Sequence, residues 1–373
     1  MVNKLELRNA LFICNAKFLD SSINEGGVKF CTDEYLSLIK TTFKVTQFPV
    51  VYDVSIIHKI SRKLNLNAYN DYTPGKYKIA LKSILQEKSI THVFLNLTNT
   101  APFAAVLKSI SPKIKIILCS HGNESGDYLH DIIMHEKYKG LQKKAATFNV
   151  GNMLLKEAAM RNNIDVVLTV SDVEEGIEKW LGAKTVCMVP RFIANQNGKY
   201  EPVSGKVGFI SDLSHEPNYF GISEVCKAIN LLPHEKIKIR LVGGGKDRGE
   251  MLQKKYSFVE YIGYLSEEKL AAEISSWTFS LNPVFYYSRG VSTKMGKSLG
   301  MGYPVITTDI GRRGYKWKEG QLPECKTAKE MALLITELSV DRNAFEFFKN
   351  EVTKIQDSSP SYNEMMTEIN TYL

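Results

Sequence analysis

SRGVSTKMGKSLGMGYPVITT, residues 288–308, is the stretch that decides how this chain reads. Gly290-Val291-Ser292-Thr293 is a glycine-flanked turn, and a short helical run from Lys294 to Met301 follows it. Gly302 ends that run, and Tyr303-Pro304-Val305-Ile306-Thr307-Thr308 restarts the chain as a buried strand. Backbone N–H groups at a helix N-terminus form a site for a phosphate, and Lys294 adds a point charge one turn in.

Outward from this unit, short β-branched runs alternate with amphipathic segments across the whole chain. The second half predicts strands at 206–212, 236–245, 259–265, 279–283 and 304–309. The first half predicts strands at 10–16, 44–53, 91–98, 113–122, 166–171 and 184–190. Helical stretches fill the gaps at Gly27–Lys40, Lys76–Lys88, Ala101–Ser109 and Val173–Leu181. Strands separated by helices imply parallel sheets with right-handed crossovers, so the expected class is α/β with two Rossmann-like domains. The polar stretch 191–205, RFIANQNGKYEPVSG, is read as a linker. It separates a first domain, 1–190, from a second, 206–357. After the Ser-Ser-Pro-Ser break at 358–361, Tyr362–Leu373 is expected to return as a terminal helix to the first domain.

The bulk properties narrow the function classes. A chain of 373 residues suits two domains, and 44% hydrophobic with 24% charged residues is ordinary for a globular protein. No run of about 18 apolar residues occurs, which argues against a transmembrane span. The N-terminal segment, with Glu6 and scattered charges, reads as a lead-in to the first strand and not as a secretion signal. Six cysteines without CxxC spacing read as buried thiols in a reducing compartment, so a cytoplasmic location is expected. The net charge of +8 is uneven: residues 1–190 hold 24 basic against 18 acidic residues, and the remainder 24 against 22. A basic first half suits an anionic acceptor or peripheral contact with the inner face of the cell membrane, and equally a solvated lysine-rich surface. His135–Thr147 is the amphipathic candidate for such a contact. No aromatic-interleaved basic stripe suggests nucleic acid.

Several clusters carry polar chemistry. Asn24-Glu25-Gly26-Gly27-Val28 follows strand one and opens a helix, and glycines there let backbone approach a ligand closely. Ser120-His121-Gly122-Asn123-Glu124 falls at the carboxyl end of a strand, where open α/β sheets bind ligands. Glu124 is the nearest carboxylate able to orient His121 or an acceptor. The segment 207–225 is strand, loop and helix, with Ser211, Ser214 and His215 in the loop and Pro217 and Asn218 read as starting and capping the helix. Gly243-Gly244-Gly245-Lys246 ends a strand, with Lys246 as a phosphate candidate. Ile262-Gly263-Tyr264-Leu265-Ser266 ends another, with Ser266 as an N-cap.

Taken in order, these motifs resemble the retaining GT-B glycosyltransferases, in particular glycosyltransferase family 4. The resemblance implies two facing Rossmann-like domains with ligands in the cleft, and no cofactor or metal beyond a nucleotide diphosphate sugar donor. It implies that the loop with Gly26 and Gly27 faces donor and acceptor, and that His121 contacts the donor sugar. It implies that Gly243, Gly244, Lys246, Tyr264, Leu265, Gly290, Val291, Ser292 and Thr293 lie along the nucleotide, with Lys294 on the diphosphate. In one place the chain departs from the family. Relatives carry Glu-x7-Glu, whereas Arg289 and Lys297 occupy the two positions here. Two acceptors have become two donors, so Arg289 is assigned to the diphosphate or to a carboxylate on the donor, and Lys297 to a ribose oxygen. The expected activity is glycosyl transfer with retention to a carbohydrate or lipid-linked acceptor, in polysaccharide or glycoconjugate synthesis. A catalytically lapsed partner or sugar-binding subunit is the alternative, and a sugar-nucleotide epimerase a more distant one.

Overall fold

The computed structural model describes residues 7–20, 22, 26–63, 68–134, 138–196, 198–287 and 289–373. Asn24, Glu25, Ser288 and residues 135–137 of the amphipathic candidate lie outside the described residues. The chain divides into two compact units: Met1–Pro190 with Ser361–Leu373, and Arg191–Pro360.

The first unit is built on β1 (Arg8–Asn15), β2 (Phe43–Val50), β3 (His92–Asn96), β4 (Lys115–Cys119), β5 (Val166–Thr169) and β6 (Val186–Met188), paired in parallel in the order β2-β1-β3-β4-β5-β6. The central strands are apolar runs without alternation because helices cover both faces of the sheet. Leu11, Ile13, Val93, Leu95, Ile116 and Leu118 are buried in one such core. Chain order reverses between β1 and β3, so loops leaving those strands diverge and open a crevice at their carboxyl ends.

The second unit repeats the plan with β7 (Lys206–Ile210), β8 (Lys238–Val242), β9 (Val259–Gly263), β10 (Phe279–Asn282), β11 (Val305–Thr308) and β12 (Glu324–Cys325), again parallel. Its order is β12-β11-β10-β7-β8-β9, with the reversal between β7 and β10. Gly208 lets these two central strands accept the Trp277 ring, since a Cβ there would lie 2.0 Å from it.

The expected α/β class and parallel sheets are what the fold contains. Strand ends are shorter than their apolar runs: 113–122 yields Lys115–Cys119 and 236–245 yields Lys238–Val242, because the polar and glycine tails turn away as loops. β12 was not predicted, being two residues long. The stretch 191–205 is strapped to the second unit, with the N–H groups of Arg191, Gln196, Glu201 and Val203 donating to the carbonyls of Gly314, Gly300, Ser275 and Ser276. The last helix, Tyr362–Asn370, opens on a capping box of Ser361 and Glu364 and packs on the helix Gly27–Lys40 in the first unit. All six cysteines are buried free thiols.

Candidate functional site

The two switch points hold the polar residues, and each is described within its own unit. In the second unit the decisive loop runs from β10 to the helix Thr293–Gly300. Asn282, fully buried at the end of β10, organises it. Its Nδ2 donates to Thr307 Oγ1 at 3.0 Å and to the Gly311 carbonyl at 3.0 Å, and its Oδ1 accepts from Ser292 Oγ at 2.7 Å. Tyr315 braces the other side, its hydroxyl donating to the Ser292 carbonyl at 2.7 Å and accepting from the Gly296 N–H at 2.9 Å. Gly290 takes φ +74°, a conformation that favours glycine, so the turn reaches Ser292 without strain. Ser292 is the N-cap residue, and its side chain makes no cap bond because Asn282 holds it.

Lys294 crosses the switch point. Its Nζ donates to Asn218 Oδ1 at 2.7 Å and to Ser211 Oγ at 3.3 Å, both beyond β7, and lies 4.7 Å from the centre of the Phe209 ring. Burial lowers the Lys294 ammonium from its ordinary 10.5 to about 7. A cation held at the start of a helix, on the line where chain order reverses, can receive an anion from the solvent side.

Asn218 corrects the sequence reading. The N-cap of the helix Glu216–Ile229 is His215, and Asn218 sits inside the first turn. Its Nδ2 donates to the Asp212 carbonyl at 2.9 Å, leaving Oδ1 for Lys294. The loop 211–215 holds no Arg or Lys of its own. Arg248, from the helix Lys246–Lys255, instead reaches the Leu213 carbonyl at 3.0 Å and pairs with Glu216.

The glycine run packs these loops together. Gly243 takes φ +124° and a Cβ on it would lie 2.2 Å from the Ser211 carbonyl oxygen; a Cβ on Gly244 would lie 2.7 Å from the Tyr264 hydroxyl. Lys246 is exposed and faces Glu250 at 3.6 Å, an i,i+4 surface pair. Tyr264 is exposed, and Leu265 packs beside Val242 and Trp277. Ser266 caps its helix as expected, accepting from the Lys269 N–H. Val291, Thr293 and Arg289 are half-buried on the same turn as Ser292, and Lys297 is exposed one turn further on.

In the first unit the polar residues gather at the carboxyl ends of β1, β3 and β4. His121 Nε2 lies 3.0 Å from Asn96 Oδ1. Asn96 Nδ2 donates to Thr32 Oγ1 at 2.9 Å and faces Cys14 Sγ at 3.2 Å, so its oxygen must accept, and Nε2 of His121 carries the proton. Thr32 in turn belongs to the helix that Gly26 and Gly27 open. Gly26 is that helix's N-cap at φ +98°, with no side-chain cap bond. His121 is thus oriented by Asn96, while Glu124 starts the next helix with its N–H donating to the Tyr69 hydroxyl at 3.1 Å.

Sequence reasoning missed what fixes this loop. Arg161 and Glu178 form a fully buried ion pair, with Nε and Nη2 of Arg161 donating at 2.5 and 2.7 Å. Arg161 Nη2 also donates to Asn123 Oδ1 at 2.9 Å. Glu157, four residues earlier, accepts from Ser125 Oγ at 2.6 Å and from the Tyr69 hydroxyl. Burial raises the Glu157 carboxyl above its ordinary value, against the lowering effect of those bonds. The Glu157/Arg161 spacing of i,i+4 was the available signal, and on a helix it reads first as a surface pair.

Residues 204–341 match the family model described as Glycosyl transferases group 1. The second unit is thus similar to the domain that this model describes. The whole chain carries the GT-B fold, as its similarity to solved structures shows. It is similar to sucrose-phosphate synthase from Thermosynechococcus elongatus, with 16% identity, 98% of each chain covered and a TM-score of 0.66. It is similar to HepE of Anabaena, solved with UDP and glucose, at 13% identity, 98% of each chain and a TM-score of 0.63. A UDP-forming trehalose-phosphate synthase from Burkholderia xenovorans matches at 9% identity over 98% of each chain, with a TM-score of 0.63. No protein of curated function matches the sequence. The match takes in β7 through β12, and with them the turn that carries Ser292 and Lys294.

Proposed function

We propose that the chain transfers a glycosyl group from a nucleotide diphosphate sugar to a carbohydrate or lipid-linked acceptor, with retention at the anomeric carbon and without a metal, in polysaccharide or glycoconjugate synthesis. The observation that carries this is the Lys294 amine, at the start of its helix, braced by Asn218 and Ser211 across the β7/β10 switch point. The diphosphate would sit against the N–H groups of Ser292 and Thr293 and against Lys294, which takes up a proton as the anion arrives. Those donors stabilise the charge that develops on the leaving phosphate oxygen. The bond from the anomeric carbon to that oxygen breaks, the acceptor oxygen bonds on the same face, and its proton passes to the departing phosphate. No protein nucleophile is required, and no paired-carboxylate arrangement of the hydrolytic kind is invoked. His121, oriented by Asn96, is the hydrogen-bonding group for the donor sugar, with Gly26, Gly27 and Glu124 on the acceptor side. UDP, which the solved HepE structure contains, is the first base to test.

Arg289 and Lys297 support a second reading, a sugar-binding or partner subunit that has lost transfer. A thermal-shift panel with UDP, GDP, ADP, TDP and CMP, then their sugars, separates the two. Ligand at about 100 times its Kd stabilises the native state by roughly 2.7 kcal/mol. A selective response lost in Lys294→Ala supports transfer and names the base; no response to any nucleotide supports the second reading.

A further inference from the structure

The helix Gly140–Arg161 has two apolar sides, and the fold uses one of them. On the buried side Ala146 and Val150 pack with Ile132, and Met153 packs with Ala68 and Tyr69. Glu157 and Arg161, on the same side, hold Ser125 and Asn123 of the loop that carries His121. The opposite side faces outward. Leu141, Phe148 and Leu155 are 82%, 75% and 73% exposed and recur every seven residues, with exposed Ala145, Gly151 and Ala159 between and beyond them. One large residue every two turns, separated by small ones, is the narrow seam of a helix pair. Charge is confined to one half of that seam. Lys143 and Lys144 flank its start, Lys156 is turned onto the Ala68 carbonyl at 2.9 Å, and the one acid of the helix, Glu157, lies on the buried side.

We propose that this seam is the contact between two copies of the chain, paired antiparallel about a two-fold axis at Phe148. A two-fold contact must be self-complementary, and this sequence is so about that residue. The axis sets Leu141 of one copy on Leu155 of the other and Ala145 on Gly151, and the small residues let the two backbones close to about 8–10 Å. It also sets Lys143 on Met153 and Lys144 on Asn152, the cationic half of one helix against the uncharged half of the other. Parallel pairing would stack each lysine on its own copy, which like-charge repulsion opposes. At about 150 Å² for each of its three large side chains the seam matches the largest apolar patches of monomers, roughly 300–600 Å², and two copies with their flanking side chains cover on the order of 1,000–1,200 Å², the lower bound of a specific interface. The dimer is therefore weak and concentration-dependent. A bilayer is the poorer fit: it calls for a wide apolar face with basic residues along the helix, and beyond Lys144 the remaining lysine, Lys156, is held by Ala68. Because Glu157 and Arg161 belong to the same helix, pairing braces the element that fixes the His121 loop. The pairing does not depend on the glycosyl-transfer reading.

The test is sedimentation equilibrium of the full chain from about 1 to about 200 μM, with a dissociation constant expected in the micromolar range. Phe148→Asp sets two carboxylates face to face at the axis and should raise that constant by about tenfold or more. The position is exposed, so at low concentration the thermal midpoint and any nucleotide response of the variant stay at wild-type values. Loss of pairing is thereby kept distinct from failure to fold and from loss of the donor site. Mild oxidation reads the orientation, because all six native thiols are buried. Phe148→Cys should cross-link to itself, whereas Leu141→Cys and Leu155→Cys should cross-link when mixed and not alone. A wild-type chain that is monomeric at the highest concentration, an unchanged constant in Phe148→Asp, or cross-linking of Leu141→Cys to itself overturns the proposal. So does co-sedimentation of a monomeric wild-type chain with phosphatidylglycerol vesicles that Phe148→Asp abolishes, which would make the seam a lipid surface.

Discussion

Replacing Lys294 by methionine should stabilise the ligand-free protein in acid and abolish its response to nucleotide. The Lys294 amine titrates at about 7 in the fold against 10.5 when unperturbed. Between those values the unfolded chain holds a proton that the folded chain has released, so stability rises with pH across that window. Below about 7 both states are charged and the full cost of keeping the ammonium half-buried is present. The gap between the two values corresponds to about 5 kcal/mol as an upper bound. Solvent access to the partly exposed side chain brings this to roughly 2–3 kcal/mol. Methionine removes that cost but leaves Asn218 Oδ1 and Ser211 Oγ without the amine, which costs about 1 kcal/mol or more.

The variant should therefore gain about 1–2 kcal/mol over wild type near pH 6, lose most of that advantage by about pH 10, and lose all of it above about pH 11, where the wild-type amine is neutral in both states. For a unit of this size that is roughly 2–8 °C in Tm at the acid end. Comparing variant with wild type at each pH cancels the tyrosine and cysteine titrations common to both. In parallel, wild-type nucleotide binding should take up protons above pH 7 and weaken as pH rises, since an anion restores the ammonium. A variant less stable than wild type at pH 6, or a difference that does not change with pH, would refute a desolvated amine poised for an anion.

Asn96→Leu should lower turnover roughly tenfold to hundredfold while leaving the nucleotide thermal shift intact, because it removes the acceptor that orients His121 Nε2; paired kcat and thermal-shift measurements decide it. Arg161→Met should cost about 3–5 kcal/mol by urea denaturation, because Glu178 is left charged and buried, and adding Glu178→Leu should recover most of it. Gly243→Ala should destabilise the second unit by roughly 2–4 kcal/mol and blunt the nucleotide response, since its Cβ would displace the Ser211 carbonyl; calorimetry with and without UDP reads both. Charge reversal of Arg289 and Lys297 to glutamate, restoring the relatives' pair, should alter which nucleotide sugar gives the largest thermal shift, and an unchanged ranking would remove these two residues from donor selection.

The fold was legible because its signal is long-range and redundant. Apolar runs such as ALFIC at 10–14 and IILC at 116–119 are buried on both faces, as strands of a parallel sheet covered by helices are. The boundaries were less legible. Cys119 pairs with Leu168 and is the last residue of β4, because Ser120, His121 and Gly122 turn away as a loop although β5 runs on to Thr169.

The site separates along a similar line. Lys294 and its turn could be read because backbone geometry, a glycine and a charge are adjacent in sequence. Their supports could not, for Asn218 lies 76 positions from Lys294, and Asn96 lies 25 from His121. Asn218 shows why. An asparagine two residues into a Pro-containing helix start reads as a cap, and the amide does donate locally to Asp212. Only the crossing of β7 and β10 leaves its oxygen facing an amine. A side-chain amide carries a donor and an acceptor on one planar group, so local sequence can account for one half of its bonds while topology assigns the other. Asn96 divides in the same way, its nitrogen to the helix behind Gly26 and its oxygen to His121. In both units, then, an amide at a switch point ties the chemistry-bearing side chain to a neighbouring strand or helix, and that is the part of the site that only the fold supplies.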